Sequence, residues 1–142
     1  MQVIVADDDP VYRDLLRDLL TQWHFDVFVV SDGNEAWNAM QGPDAPRLVI
    51  LDWMMPGLDG FEVCKMARTE NLKQDVYIIL LTGSRKKEEI MKVLVAGADD
   101  YLIKPFEPVD LKIHLRTARR ILDLQAELAE LRQQLHAMAG PG

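Results

Sequence analysis

Several features that would place the chain in other protein classes are scarce or missing. The single cysteine, Cys64, excludes an internal disulfide and is typical of a reducing compartment. No apolar run approaches the ~18 residues of a membrane-spanning helix, and the N-terminus lacks a basic flank and an apolar signal region. The net charge of −7 argues against nucleic-acid binding by this segment. We therefore expect a soluble, cytoplasmic protein with no nucleic-acid or membrane partner.

The length and the apolar content of the chain predict one globular domain. Apolar residues make up 49% of the 142 residues, which is enough for a buried core and too much for a disordered chain. Cys64 lies in a helical pattern, where it is expected to be a small core residue.

Short β-branched runs alternate with helical patterns along the chain. The predicted strands are residues 3–6, 26–30, 47–53, 76–82 and 100–104. The predicted helices run from Pro10 to about Trp23, over 34–40, over 61–68, from Gly83 and Ser84 to Ala96, and from Glu107 to about Met138. Five β–α units predict an α/β doubly wound fold, with a parallel sheet covered by helices on both faces.

Polar residues close four of the five predicted strands. Asp7 and Asp8 follow the first strand, Asp52 ends the third, Thr82 ends the fourth and Lys104 ends the fifth. In a doubly wound sheet, ligands bind beyond the carboxyl ends of the strands. Three carboxylates would repel one another there unless a divalent cation neutralises them, and Mg²⁺ prefers oxygen ligands. The pattern therefore predicts a magnesium site.

Each of these residues alone has a simpler structural interpretation. An aspartate after a strand is usually a turn former or a helix N-cap. We predict that role for Asp9, which directly precedes Pro10. The occurrence of polar residues at four strand ends together favours a functional site.

The motifs ADDDP, LVILDWMMPGLDG, ILLTG and DYLIKPF, in this order over about residues 2–122, resemble the receiver domain of two-component response regulators. The resemblance implies a flavodoxin-like (βα)5 fold with strand order 2-1-3-4-5. The unbroken helical pattern from Glu107 to about Met138 adds an extended C-terminal helix. It divides the chain into a receiver domain, 1–122, and a helical tail, 123–142.

The resemblance also implies roles for the site residues. Asp52 is expected to accept a phosphoryl group, in a Mg²⁺-dependent reaction, from the phosphohistidine of a sensor histidine kinase or a phosphotransfer protein. Asp7, Asp8, Asp52 and the backbone carbonyl of Met54 are the expected metal ligands. Lys104 is expected to pair with the phosphoryl oxygens.

Further residues are implied to act in switching and in phosphoryl loss. Thr82 is expected to bond the phosphoryl group and Tyr101 to change its rotamer in the switched state. The side chains of Met54 and Ser84 are expected to flank the path of the attacking water and so to tune dephosphorylation. The implied protein is a signalling switch that catalyses only its own phosphorylation and dephosphorylation.

Two other functions remain open from the residues. A phosphatase of the haloacid-dehalogenase type would use Asp7 as nucleophile in a D-x-D motif with Asp9, but this leaves Asp52 and the KPF sequence unexplained. An interaction module that is never phosphorylated would not need the full set of polar residues at the strand ends.

Apolar residues in the tail recur at spacings of 3, 4, 3, 4 and 3, which are the a and d positions of a coiled coil. They are Ile121, Leu124, Leu128, Leu131, Leu135 and Met138. The spacing predicts a parallel homodimer through residues 121–138, and a single solvated helix is the alternative. The tail resembles the linkers that join receivers to output domains such as diguanylate cyclases. The sequence identifies neither the output nor the cognate kinase.

Overall fold

A computed structural model of the chain describes residues 1–70, 72 and 75–139, in which strands and helices alternate. The strands are β1 (Gln2–Ala6), β2 (Asp26–Val30), β3 (Leu48–Asp52), β4 (Tyr77–Thr82) and β5 (Asp100–Ile103). The helices are α1 (Pro10–Gln22), α2 (Gly33–Ala39), α3 (Gly60–Thr69), α4 (Lys87–Ala96) and α5 (Pro108–Ala139).

The strands form one parallel sheet in the order β2-β1-β3-β4-β5. The predicted fold class and strand order are therefore confirmed. Every residue of β3 and β4 is buried, which explains why both read as continuous apolar runs instead of alternating ones.

The core has two halves, one on each face of the sheet. Successive residues of a strand point to opposite faces, so Val3 packs with α1 and α5 while Ile4 packs with α2, α3 and α4. Cys64 is a buried member of the second half, as predicted. Burial raises the pKa of its thiol to about 12, which makes it an unreactive core residue.

The predicted start of the fourth helix at Gly83 and Ser84 is wrong, because α4 begins at Lys87. Two side-chain hydrogen bonds hold the intervening segment as a loop. The hydroxyl of Thr82 accepts from the Ser84 amide at 3.1 Å, and the hydroxyl of Ser84 accepts from the Lys86 amide at 3.2 Å. Such local bonds compete with helical ones. The other predicted bounds agree with the structure to within one residue at each end.

The last helix leaves the body of the protein. Leu111, Leu115, Ala118 and Leu122 on α5 are buried against the sheet, whereas every residue of 123–139 is exposed. Residues 140–142 of the predicted tail lie outside the described residues. In the part of the chain that is described, no helix has both the length and the apolarity needed to cross a membrane.

Candidate functional site

Three carboxylates gather at the carboxyl edge of the sheet. Because β1 and β3 are neighbours in register, with Ala6 opposite Leu51, Asp7 and Asp52 come next to each other at the strand ends. Asp7, Asp8 and Asp52 each offer a carboxylate oxygen, and these oxygens lie within 4.8 Å of one another. Asp7 and Asp52 are buried, while Asp8 is exposed, so the cluster opens to solvent on the Asp8 side.

Lys104 joins two of these acids. Its Nζ lies 2.7 Å from Asp7 Oδ2 and 3.2 Å from Asp52 Oδ1. With all three carboxylates ionised, one ammonium against three acids leaves two uncompensated negative charges. A concentrated charge of this kind, carried by hard oxygen donors, fits a divalent cation such as Mg²⁺.

The surroundings of Asp52 strongly shift its titration. Burial raises its pKa to about 7, with a further rise from the charge of Asp7, although Lys104 acts in the opposite direction. Burial also works to lower the pKa of Lys104, but the hydrogen bond to Asp7 and the charges of Asp52 and Asp7 outweigh it and raise that pKa. A cation beside Asp7 and Asp8 would favour the ionised form of Asp52.

Loop and helix geometry fix the backbone of Asp52. The amide of Gly60, the first residue of α3, donates to the Trp53 carbonyl at 2.8 Å. A Cβ at Gly60 would lie 2.4 Å from the carbonyl oxygen of Asp52, so only glycine permits this close approach. Asp59 and Glu62 form a capping box that fixes the start of α3.

A shallow pocket of about 400 Å³ gives access to Asp52. It is lined by Asp52, Trp53, Met54, Thr82, Gly83, Ser84 and Glu89. The structure therefore brings Thr82, Met54 and Ser84 to one opening beside Asp52. Thr82 is buried and the Met54 side chain is 74% exposed. Tyr101 is half-buried on β5 and lines a separate depression with Asp100 and His114.

Asp9 does not belong to the acidic cluster. It is the N-cap of α1, and its Oδ1 accepts from the Val11 amide at 2.9 Å, as predicted. The amide of Asp9 in turn donates to Asp7 Oδ1 at 3.0 Å. The cap therefore orients one of the buried acids.

An aromatic contact that the motifs do not predict lies at the site. Lys104 Nζ lies 4.1 Å from the centroid of the Tyr12 ring, and the Tyr12 ring lies 5.9 Å from the Phe106 ring at an angle of 44°. The motifs do not predict the contact of Arg13 either, whose Nη1 donates to the Asp7 carbonyl at 2.8 Å. The available signal was position: Tyr12 and Arg13 are in the first turn of α1, directly after the acids.

Comparison with known proteins identifies response regulators as relatives of this chain. A family model described as "Response regulator receiver domain" matches residues 3–116. Over 131 residues the chain is 36% identical to the DNA-binding response regulator MtrA of Mycolicibacterium smegmatis, covering 92% of this chain and 56% of the relative. Over 113 residues it is 35% identical to a chemotaxis protein CheY homologue of Campylobacter jejuni, covering 79% of this chain and 87% of the relative.

A similar solved structure contains a metal. The receiver domain of a sensor histidine kinase from Pseudomonas aeruginosa, with a magnesium ion coordinated in its active-site cleft, has a TM-score of 0.73 at 27% identity. The match covers 82% of this chain and 95% of that one.

The raised pKa of Asp52 predicts a pH-dependent gain in stability for Asp52→Asn in metal-free protein. Between the ordinary value of 3.8 and about 7, the folded protein binds a proton that the unfolded chain releases, so wild-type stability falls as pH rises. The Asn variant has no carboxyl at this position, so its unfolding free energy does not fall for this reason. About two pH units lie between pH 5 and the folded pKa of about 7, and each corresponds to about 1.4 kcal/mol. The gain in unfolding free energy should therefore be about 3 kcal/mol larger at pH 8 than at pH 5.

Urea unfolding in the presence of a chelator measures this difference. The same substitution at Asp123, which is exposed on the tail, removes the same charge and should give no comparable gain. An equal gain at both pH values for Asp52→Asn would contradict the role assigned to burial.

Proposed function

Because the chain belongs to the response regulator receiver family, as its motifs predicted, we propose that it is a phosphorylation-dependent switch with Asp52 as the phosphoacceptor. The observation that carries the proposal is the position of Asp52. It is the acid of the cluster that lines the open pocket, it is beside Lys104, and it follows a fully buried strand. The phosphoryl donor would be the phosphohistidine of a sensor kinase or a phosphotransfer protein.

In the proposed reaction an oxygen of Asp52 donates an electron pair to the phosphorus. The bond between phosphorus and the histidine nitrogen breaks, and the imidazole leaves with that electron pair and takes up a proton from solvent. A carboxylate and a phosphoryl group are both anionic, so attack requires neutralisation of charge. Mg²⁺, held by Asp7, Asp8, Asp52 and the carbonyl of Met54, would supply part of that neutralisation.

The chain's own residues would supply the rest. Lys104 already pairs with Asp52, and its ammonium would bond a phosphoryl oxygen carried by the same carboxylate. The hydroxyl of Thr82, which now accepts from the Ser84 amide, would instead donate to the phosphoryl group. A shift of Thr82 would free space next to β5, where Tyr101 would change its rotamer.

The alternative nucleophile, Asp7, has less support. Its side chain is fully buried, it is held by Lys104 at 2.7 Å, and it is absent from the lining of the pocket. A nucleophile needs an open approach to the phosphorus, which Asp52 has and Asp7 lacks. We therefore propose a switch that modifies only itself, and neither a phosphatase using Asp7 nor a module that is never phosphorylated.

The proposed function predicts Mg²⁺-dependent phosphorylation at Asp52. Incubation with acetyl phosphate and Mg²⁺ should add one phosphoryl group, as measured by intact mass. Asp52→Asn removes the nucleophile and should abolish the addition, and so should a chelator, because the anionic donor would then meet uncompensated acids. Asp7→Asn should reduce the rate without moving the site. Equal labelling of the Asp52→Asn variant would overturn the assignment.

The lifetime of phospho-Asp52 should depend on Met54. Its exposed side chain lies in the pocket with Ser84 and cannot orient an attacking water by a strong hydrogen bond. Met54→Asn adds a donor and an acceptor there, so the phosphoryl group should be lost several-fold faster. The measurement is the decay of phosphorylated protein after removal of the donor.

The same substitution at Met91 serves as the matched control. Met91 is 58% exposed on α4 and does not line the pocket at Asp52, so Met91→Asn should leave the decay unchanged. A slower decay in Met54→Asn would count against the role of this side chain.

We also propose a division at Leu122 between a receiver body and a tail that forms a parallel homodimer. Leu122 is the last buried residue of α5. Beyond it the helix exposes the apolar stripe Leu124, Leu128, Leu131, Leu135 and Met138, with exposed fractions of 47% to 83%. Pairing two stripes would remove them from water. In that register Glu127 and Arg132 occupy g and e positions, which can pair between chains.

Substitution within the stripe should separate the dimer. Leu128→Gln combined with Leu131→Gln keeps helix propensity nearly constant but places polar groups in the seam. Analytical ultracentrifugation at about 50 µM, a concentration at which a micromolar dimer is populated, should show a dimer for the native chain and a monomer for this variant. Ala129→Gln combined with Glu130→Gln, off the seam, should remain dimeric. A monomeric native chain, with and without phosphorylation, would rule out the dimer.

The proposal covers the receiver and leaves the output open. The chain spans 56% of the mycobacterial DNA-binding regulator and 87% of the chemotaxis protein, so its relatives include both multidomain and short proteins. We propose the reducing cytoplasm as its compartment, because a single cysteine cannot form an internal disulfide.

A further inference from the structure

We infer that Tyr12 is a positioning residue for Lys104, whose ammonium it holds against the face of its ring during phosphoryl transfer. The inference rests on the proposed function, because it assigns a role to Tyr12 in the reaction at Asp52. Its basis is a contact between the first turn of α1 and the end of β5, two segments far apart in the sequence.

The three sides of the Lys104 ammonium have different partners. Asp7 Oδ2 lies at 2.7 Å and Asp52 Oδ1 at 3.2 Å, while the centroid of the Tyr12 ring lies at 4.1 Å. An ammonium has three donors. A ring face within about 6 Å attracts a cation through its quadrupole, most strongly where water is excluded. The Lys104 side chain is only 15% exposed, so the contact lies in such a place.

The Tyr12 ring, unlike Asp7 and Asp52, gains no new partner during the proposed reaction. Asp7 and Asp52 belong to the cluster that can hold a metal ion, and Asp52 also receives the phosphoryl group. Both ion pairs of Lys104 therefore weaken as those oxygens take other partners. A ring face offers no hard oxygen ligand. Tyr12 is thus the partner of Lys104 that stays unchanged throughout.

The ring itself is fixed by its neighbours. The Asp9 cap sets the first turn of α1, where Tyr12 lies. On the other side the Phe106 ring packs against Tyr12 at 5.9 Å and against the core formed with α1 and α5. Since Phe106 follows Lys104 by two residues, it ties the lysine's own loop to the ring. A fixed ring reduces the freedom that a long lysine side chain would otherwise have.

The reaction step used to test the inference is phosphorylation by acetyl phosphate at saturating Mg²⁺. An Asp52 oxygen donates an electron pair to the phosphorus, the bond from phosphorus to the acetate oxygen breaks, and acetate leaves with that electron pair. Removing the ring by Tyr12→Leu should lower the rate constant about tenfold, as expected for loss of a desolvated cation–π contact. Tyr12→Phe keeps the ring face and should retain most of the rate.

A series of fluorinated phenylalanines at position 12 separates a cation–π role from simple packing. Fluorine withdraws electron density from the ring face but preserves the ring's shape and apolar character. The rate constant should fall stepwise as fluorine content rises, with unfolding midpoints nearly constant. The same residues at Phe28, which is 48% exposed on the edge strand β2, should have no effect. A flat rate across the series at position 12 would overturn the inference.

A double-mutant cycle tests whether Tyr12 acts through Lys104. In the Lys104→Met background, Tyr12→Leu should cause no further loss of rate, whereas an additional tenfold loss would contradict the inference. The native protein distinguishes this failure from failure of the proposed function. If native protein is not phosphorylated at Asp52, the proposed function fails. If it is phosphorylated and the fluorinated series is flat, only the role of Tyr12 fails.

Discussion

Repulsion among the carboxylates at the end of the sheet is the constraint on which the site depends. Asp7 and Asp52 are buried beside each other, and Lys104 is the cation that bridges them. Burial raises the pKa of Asp52 to about 7 and the charge of Asp7 adds to the rise, while Lys104 acts against it. One ammonium compensates only one charge, so the cluster stays negatively charged when its acids are ionised. The same negative charge that costs stability fits a divalent cation, which is what the proposed phosphoryl transfer to Asp52 would require. The acids that would bind the cation therefore lower the stability of the folded protein when no cation is bound.

The position of this cluster follows from how the strands are buried. Because β3 and β4 are covered on both faces, they have no room for polar side chains until their last residues, Asp52 and Thr82. The apolar runs in the sequence therefore indicate the strands, and the ends of these runs indicate where polar site residues can lie. This is why the fold and the strand-end residues could be predicted from the sequence. Because the strands are parallel, their carboxyl ends lie at the same edge of the sheet even where they are distant in sequence.

Two features could not be predicted from the sequence. The start of α4 depends on competing hydrogen bonds, and the contact between Tyr12 and Lys104 leaves no periodic pattern. The start of α4 is decided by hydrogen bonds that the hydroxyls of Thr82 and Ser84 accept from backbone amides. A propensity argument from Gly83 and Ser84 does not reveal these bonds. The approach of Tyr12 to Lys104 requires α1 and the end of β5 to meet, with Phe106 between the ring and the core. The position of Tyr12 directly after the acids indicates that it lies near the site, but it does not identify Lys104 as its partner.

The path from the site to the tail is short along the chain. Lys104 begins the strand-to-helix connection that leads through Phe106 into α5, and α5 continues as one helix to Ala139. A helix of 32 residues is about 48 Å long and transmits a tilt at its first turns to its far end. At the opposite edge of the body Arg47 donates to Gln125 at 3.4 Å, just beyond the last buried residue. Under the proposed function, a change in the partners of Lys104 would act near the first turn of α5, while the Arg47 bond lies where the helix leaves the body. Coupling between Asp52 and the tail would then require a reorientation of this one helix.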